Sequence, residues 1–179
     1  MSDVRLALLR GINVGRAKRL AMADLRSLVE GLGYRDVQTV LNSGNVVFTV
    51  PKTVRGDPAS KIEEAVVAKV GFASRVVVLT AKEVATTVRE NPLVTVAQDA
   101  TRLQVMVLMT PADRMQLRPL LKERWSPEAF ALGPRVAYLW CPQGVIRSRL
   151  MGAVSRILGD DGTARNMATL TKIHALMLG

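Results

Sequence analysis

The stretch V37-Q-T-V-L-N42-S-G-N45-V-V-F-T-V50 decides the fold. Two β-rich runs, Val37–Leu41 and Val46–Val50, flank Asn42-Ser43-Gly44-Asn45, whose Asn and Gly residues tolerate the positive φ of a tight turn. This is a hairpin, and its neighbours order themselves around it. Upstream, Val4–Arg10 is a buried strand. Leu25, Leu28, Val29 and Leu32 fall at helical spacing before the stop at Gly33. Downstream, Asp57-Pro58 supplies an N-cap and first helical residue, with Ile62, Val66 and Val70 on the inner face. Arg75–Leu79 is the next strand, and Thr80 and Glu83 have capping-box spacing for a helix reaching Glu90. The order β-α-β-β-α-β predicts a split βαβ, ferredoxin-like unit with both helices on one sheet face and the other face open to a partner.

The second half partly echoes the first. Asn91–Thr101 lacks a clear period and contains Asn91-Pro92, which makes it the expected linker between subdomains at 1–90 and 102–179. Leu103–Met109 is a strand, and Thr110-Pro111 caps a helix that Pro119 must interrupt. Phe130–Leu132 and Val136–Trp140 form a hairpin around Gly133-Pro134. Helices are expected from Val145 to Leu158 and from Asn166 to Leu178. The expected fold is therefore α/β (α+β): two linked ferredoxin-like subdomains with mainly antiparallel sheets, the second carrying an extra C-terminal helix.

The chain has 179 residues, enough for one compact domain or two small ones with real cores. Few residues are aromatic, so Val, Leu, Ile, Ala and Met must fill the interior. No apolar run approaches a membrane span, and Arg10 cuts off the short apolar run Leu6–Leu9 that a signal peptide would need to extend. Cys141 stands alone, so no intrachain disulfide forms, which fits a reducing cytoplasm as the expected location.

The net charge of +10 is unevenly placed: residues 1–23 and 129–179 each carry +4, and the long middle only +2. A positive surface of this kind attracts nucleic acids, phosphorylated metabolites or acidic proteins. The unusual polar motifs lie at the same two ends. In Leu9–Arg19, LRGINVGRAKR, Gly11 and Gly15 permit turns on which amides converge, and Arg10, Arg16, Lys18 and Arg19 surround them with charge. The spacing matches neither the Walker loop nor GxGxxG, which disfavours both standard nucleotide-binding classes. A non-standard anion nest and a plain basic loop both remain open. Ser43-Gly44-Asn45 is turn chemistry first, and a ligand contact if the hairpin tip lies beside that loop. Near the C-terminus, Arg147-Ser148-Arg149 begins a helix whose amides suit an anion, and Thr163-Ala164-Arg165-Asn166 precedes the last helix. Capping is the simpler account of each.

Catalytic residues are not identifiable. His174, the sole histidine, falls among Ile173, Leu176 and Met177 as a structural or surface residue. Cys141 reads as a small buried hydrophobe, and no His, Cys, Asp and Glu cluster has metal-ligand spacing, so neither a metal nor a cofactor is expected. Base stacking of the kind RNA-recognition motifs use is disfavoured, since Val4–Arg10 has no aromatic residue and Val46–Val50 only Phe48.

Five ordered motifs, LLRGINVG (8–15), LNSGNVVF (41–48), Asn91-Pro92, YLWCPQGVIRSRL (138–150) and TARNMATLTKI (163–173), closely resemble the bacterial family catalogued as domain of unknown function 1697. The resemblance spans nearly the whole chain and implies two linked ferredoxin-like α/β subdomains, with no established activity. The positions it marks are Arg10, Gly11, Asn13, Gly15, Ser43, Gly44, Asn45, Arg147, Ser148, Arg165 and Asn166. Two departures are Arg16, where members often have glycine, and Met167, where they usually have Trp. Together with Lys18, the marked residues point to a phosphate-bearing small ligand or nucleotide in a basic cleft between the subdomains. Sequence-independent nucleic-acid binding, or an enzyme acting on a phosphorylated substrate, are the alternatives.

Overall fold

The computed structural model describes residues 2–179 and divides into two compact units, Met1–Lys82 and Glu83–Gly179. The protein is a mixed α/β chain with two four-stranded antiparallel sheets and six helices. The first unit runs β1 (Asp3–Leu9), α1 (Met22–Gly31), β2 (Arg35–Val40), β3 (Asn45–Val50), α2 (Pro58–Val70) and β4 (Val76–Thr80). Its strand order is β2-β3-β1-β4. Strand β1 is paired on both sides, so that Leu6 stands opposite Val47 of β3 and Leu79 of β4.

Local chemistry sets the boundaries. Gly33 takes φ +94° just beyond α1 and donates its N–H to the Glu30 carbonyl at 2.9 Å. Asp57 caps α2, its carboxylate accepting from the Ser60 N–H at 3.2 Å and the Ser60 hydroxyl at 2.8 Å. Helices α1 and α2 cover one sheet face through Leu25, Val29, Ile62 and Val66, packed on Ala7, Leu9, Val46 and Phe48. On the other face Leu6, Leu8, Val47, Val77 and Leu79 are buried too. The cause is legible in the strands, which are apolar at consecutive positions rather than alternate ones, as strands buried on both faces are.

The second unit comprises α3 (Ala81–Arg89, opening at the division), β5 (Leu103–Leu108), α4 (Arg114–Leu117), β6 (Ala129–Leu132), β7 (Val136–Trp140), α5 (Arg149–Leu158), β8 (Gly162–Asn166) and α6 (Met167–Met177). Its strand order, β6-β7-β5-β8, repeats that of the first sheet. Pro119 splits the expected helix after β5 into a 3₁₀ turn at Pro111–Asp113, the short α4, and a second 3₁₀ turn at Arg118–Lys122. The Asp113 carboxylate accepts the Thr110 N–H at 2.9 Å, closing the first of these turns. Tyr138 donates its hydroxyl to the Thr87 carbonyl at 2.8 Å, and Arg135 pairs with Glu83 at 2.8 Å, so both tie α3 to this sheet. Burial pushes the Tyr138 phenol up to about 12.

The helix expected from Val145 begins only at Arg149, after a turn closed by the Ser148 N–H on the Val145 carbonyl at 3.2 Å. The segment 163–166, expected only as the lead into the last helix, lies in strand β8, with Arg165 opposite Val105 and Thr163 opposite Val107. Its small, polar composition hides the strand, and Gly162 lets Met106 pack close, since a Cβ would meet its sulfur at 2.8 Å and push that side chain aside. Among the described residues, no helix is long and apolar enough to cross a membrane.

Gly44, at φ +86°, is the tightest point of the β2–β3 hairpin: a Cβ there would lie 2.8 Å from Ile12 Cδ1 and 2.9 Å from Leu9 Cβ. Gly44→Ala is expected to cost about 3 kcal/mol, combining left-handed strain with overpacking. Urea unfolding followed by circular dichroism checks this, and an unchanged midpoint would contradict it.

Candidate functional site

Each unit brings together part of the residue set singled out in the sequence. In the first, β1 ends against the β2–β3 turn, with the Leu9 N–H donating to the Gly44 carbonyl at 2.9 Å. The chain then enters the basic loop. Ile12 and Leu20 are buried in the core beneath α1 and α2 and act as two pegs, while Val14 to Arg19 between them are exposed. The carboxamide of Asn13 joins three segments. Its oxygen accepts the Leu20 N–H at 2.9 Å, and its nitrogen donates to the Leu20 and Asn42 carbonyls, each at 2.8 Å. The Asn13 N–H also donates to the Lys18 carbonyl at 2.9 Å, and the Arg19 guanidinium to the Gly15 carbonyl at 3.1 Å.

This bracing imposes an uncommon backbone. Gly11, Asn13, Gly15 and Lys18 have φ of 69°, 54°, 63° and 50°, and Leu41 in the adjoining turn has φ 58°. Left-handed non-glycine residues are costly and concentrate where surrounding contacts over-determine them. The N–H groups of Val14, Gly15 and Arg16 take no acceptor among the described residues. Arg16, Lys18 and Arg19 are exposed around them, and Asp3 is the only acid in the first 23 residues.

The hairpin tip thus lies beside the loop, the condition under which Ser43, Gly44 and Asn45 bear on it. Ser43 is exposed, while buried Asn45 donates to the Val40 carbonyl at 2.8 Å and the Ser43 hydroxyl at 3.0 Å. Arg10 is held at its backbone, where its carbonyl accepts the Ser74 hydroxyl at 2.8 Å and its N–H reaches the Arg75 carbonyl at 2.8 Å. A larger open hollow of about 520 Å³, lined by Asp3, Thr49, Pro51, Lys52 and Arg55 among others, contains none of the expected site residues.

In the second unit, Ser148 is the N-cap of α5, accepting the Met151 N–H at 2.9 Å. The start of this helix already holds an anion from the chain itself. Glu128 accepts the Ser148 hydroxyl with one carboxylate oxygen and the Leu150 N–H at 3.1 Å with the other. A carboxylate so placed is favoured by the helix dipole. Glu128 leaves no local signature in the chain, because it reaches across from 20 residues upstream rather than from capping-box spacing. Arg147 and Ser148 line a pocket of about 170 Å³ together with Pro127, Glu128, Pro142 and Gly144. Behind it Cys141 is buried, its sulfur 3.4 Å from the Ser148 hydroxyl, and burial pushes its thiol pKa up and keeps the thiol protonated.

Arg165 and Asn166 lie at the same end of the second sheet as Trp140, since both strand ends flank Leu103–Gln104 of β5. Asn166 caps α6, accepting the Thr169 N–H at 2.8 Å. Arg165 donates to the Ala164 carbonyl at 2.9 Å, and burial lowers its pKa to about 10, so it stays charged at neutral pH. Met167 is buried, as is His174. Among the described residues, no group of three His, Cys, Asp or Glu could hold a metal ion.

An α/β chain with a braced basic loop at the end of a central strand is the class that fold and site define. The sequence profile of the DUF1697 family, proteins of unknown function, matches residues 3–138, and the chain belongs to that family. Its fold is similar to the structure of the conserved bacterial protein SP0830 from Streptococcus pneumoniae, with TM-score 0.80, 19% identity and all of both chains covered. No curated protein matches the chain.

Removing the internal anion is expected to loosen α5. Glu128→Ala leaves the Leu150 amide and the Ser148 hydroxyl without their acceptor and should cost about 2 kcal/mol. Chemical denaturation measures this, and wild-type stability would show that solvent replaces Glu128 without loss.

Proposed function

We propose that the 11–19 loop, braced by the 41–45 turn, is a binding site for a phosphate-bearing small ligand. The observation that carries this reading is the left-handed conformation at Gly11, Asn13, Gly15 and Lys18, fixed by one buttressing carboxamide. Alternating handedness turns backbone amides toward one side, and amides so gathered form an anion nest. Arg16, Lys18 and Arg19 add charge and donors around it. The rigidity matters energetically: a loop already ordered spends little of its interaction energy on ordering when an anion arrives. A small ligand is favoured over a stacked nucleic acid because Phe48 is fully buried, its ring 4.7 Å from Tyr34, and so is withdrawn from any base.

The test is thermal unfolding against pyrophosphate, sugar phosphates and nucleotides. A ligand at 100 times its Kd stabilises the folded protein by about 2.7 kcal/mol. The expected result is a saturable rise in melting temperature with one of these compounds that survives physiological salt. It is lost in the double variant Arg16→Glu, Lys18→Glu, whose exposed positions leave the fold intact. Asn13→Ala should lower stability by about 2 kcal/mol and abolish the shift together. A shift retained in the charge-reversed variant would remove the loop from the site.

A further inference from the structure

The two sheets treat corresponding edges differently. In the first, edge strand β2 carries exposed Arg35 and Asp36, takes φ 51° at Asp36, and breaks register with β3 between Arg35 and Gln38. Charges and bulges of this kind prevent a further strand from pairing. In the second sheet the corresponding edge, β6, reads Ala129-Phe130-Ala131-Leu132, with no charge, no proline and an unbroken register against β7.

The hairpin geometry says which groups face outward. The Gly133 N–H donates to the Val136 carbonyl at 2.8 Å, so the hydrogen-bonded pairs with β7 recur at Ala131–Tyr138 and Ala129–Trp140. The N–H and C=O groups of Phe130 and Leu132 therefore point away from β7, and among the described residues they take no hydrogen-bond partner. The 3₁₀ turn at Arg118–Lys122 packs beside β6. It and the residues after it expose Arg118, Leu121, Lys122 and Arg124 against a single acid, Glu123.

We propose that β6 is a docking edge for an extended segment of a partner protein in which apolar and acidic side chains alternate. Such a segment continues the sheet through the four outward backbone groups of Phe130 and Leu132. Its acidic side chains, all on one face of the added strand, meet the basic turn, and its apolar ones lie on the opposite face. Charge selects this occupant over a second copy of the chain, since a copy would set Arg118, Lys122 and Arg124 against their own equivalents on a protein of net charge +10. So short a contact makes the complex weak and quickly reversible.

The experiment is residue-resolved hydrogen exchange by NMR on the whole chain with a blocked eight-residue peptide of alternating Val and Asp, and a Val and Lys counterpart. Without peptide, the amides of Phe130 and Leu132 exchange freely while those of Ala129 and Ala131 are slow. The acidic peptide slows Phe130 and Leu132 at least about tenfold, and the basic peptide needs at least about tenfold higher concentration to do so. The exposed-site variant Lys122→Glu, with its melting temperature unchanged, narrows that preference. Slow exchange at Phe130 and Leu132 in dilute free protein would show a closed edge and overturn the proposal. Protection that grows with protein concentration alone would assign the edge to a second copy. Equal response to both peptides, or to neither, would overturn the charge argument or the docking edge itself.

Discussion

Strand β1 is hydrogen-bonded along both edges and buried on both faces, and the first unit is positioned from it. A strand in that position cannot shift register without moving β3 and β4 as well, and each one-residue slip would invert its inward and outward side chains. Its C-terminal end is therefore a fixed point. The basic loop leaves from there, and the Leu9 N–H on the Gly44 carbonyl ties that exit to the β2–β3 turn. From this anchor the Asn13 carboxamide holds the loop's far side at Leu20 and its flank at Asn42. The unusual backbone of the loop is thus supported by the most constrained element of the sheet, where strain of order 1–3 kcal/mol per residue can be carried.

The second unit uses the same strand order with different chemistry at its ends. Where the first places an exposed basic loop after its central strand, the second fills a helix N-terminus with its own Glu128 and uses Asn166 as a cap. The motifs that look alike in sequence, short polar runs before helices, are therefore unlike in what they leave accessible. Ser148 and Asn166 have their acceptor oxygens engaged by the helices they start. Val14 to Arg16 are exposed, and their N–H groups take no acceptor among the described residues.

Much of the fold was legible in the chain. The Asp57-Pro58 helix start, the Gly33 stop and the break at Pro119 each carry a local steric or hydrogen-bonding signal and act in the structure as that signal indicates. The Asn42–Asn45 turn forms where expected but takes its positive φ at Leu41 and Gly44 rather than at the asparagines. Strand β8 was not legible, because Gly-Thr-Ala-Arg-Asn has the composition of a turn and becomes a strand only through pairing with β5. The burial of both faces of the first sheet is legible in its consecutive apolar residues, the pattern of strands covered on both sides rather than on one. At the site, the glycines and cations of the loop were visible. The bracing by Asn13 onto Leu20 and Asn42 was not, since contacts over 7 and 29 residues leave no spacing signature.

The central claim is that the 11–19 loop is a preformed anion site, and amide chemical-shift mapping with inorganic pyrophosphate tests it most directly. The account predicts saturable shifts centred on the amides of Val14, Gly15, Arg16 and Lys18, with the Asn13 side-chain resonances little changed because that group is already fully bonded. Shifts centred on other residues, or a loop whose amides respond only in proportion to ionic strength, would contradict it.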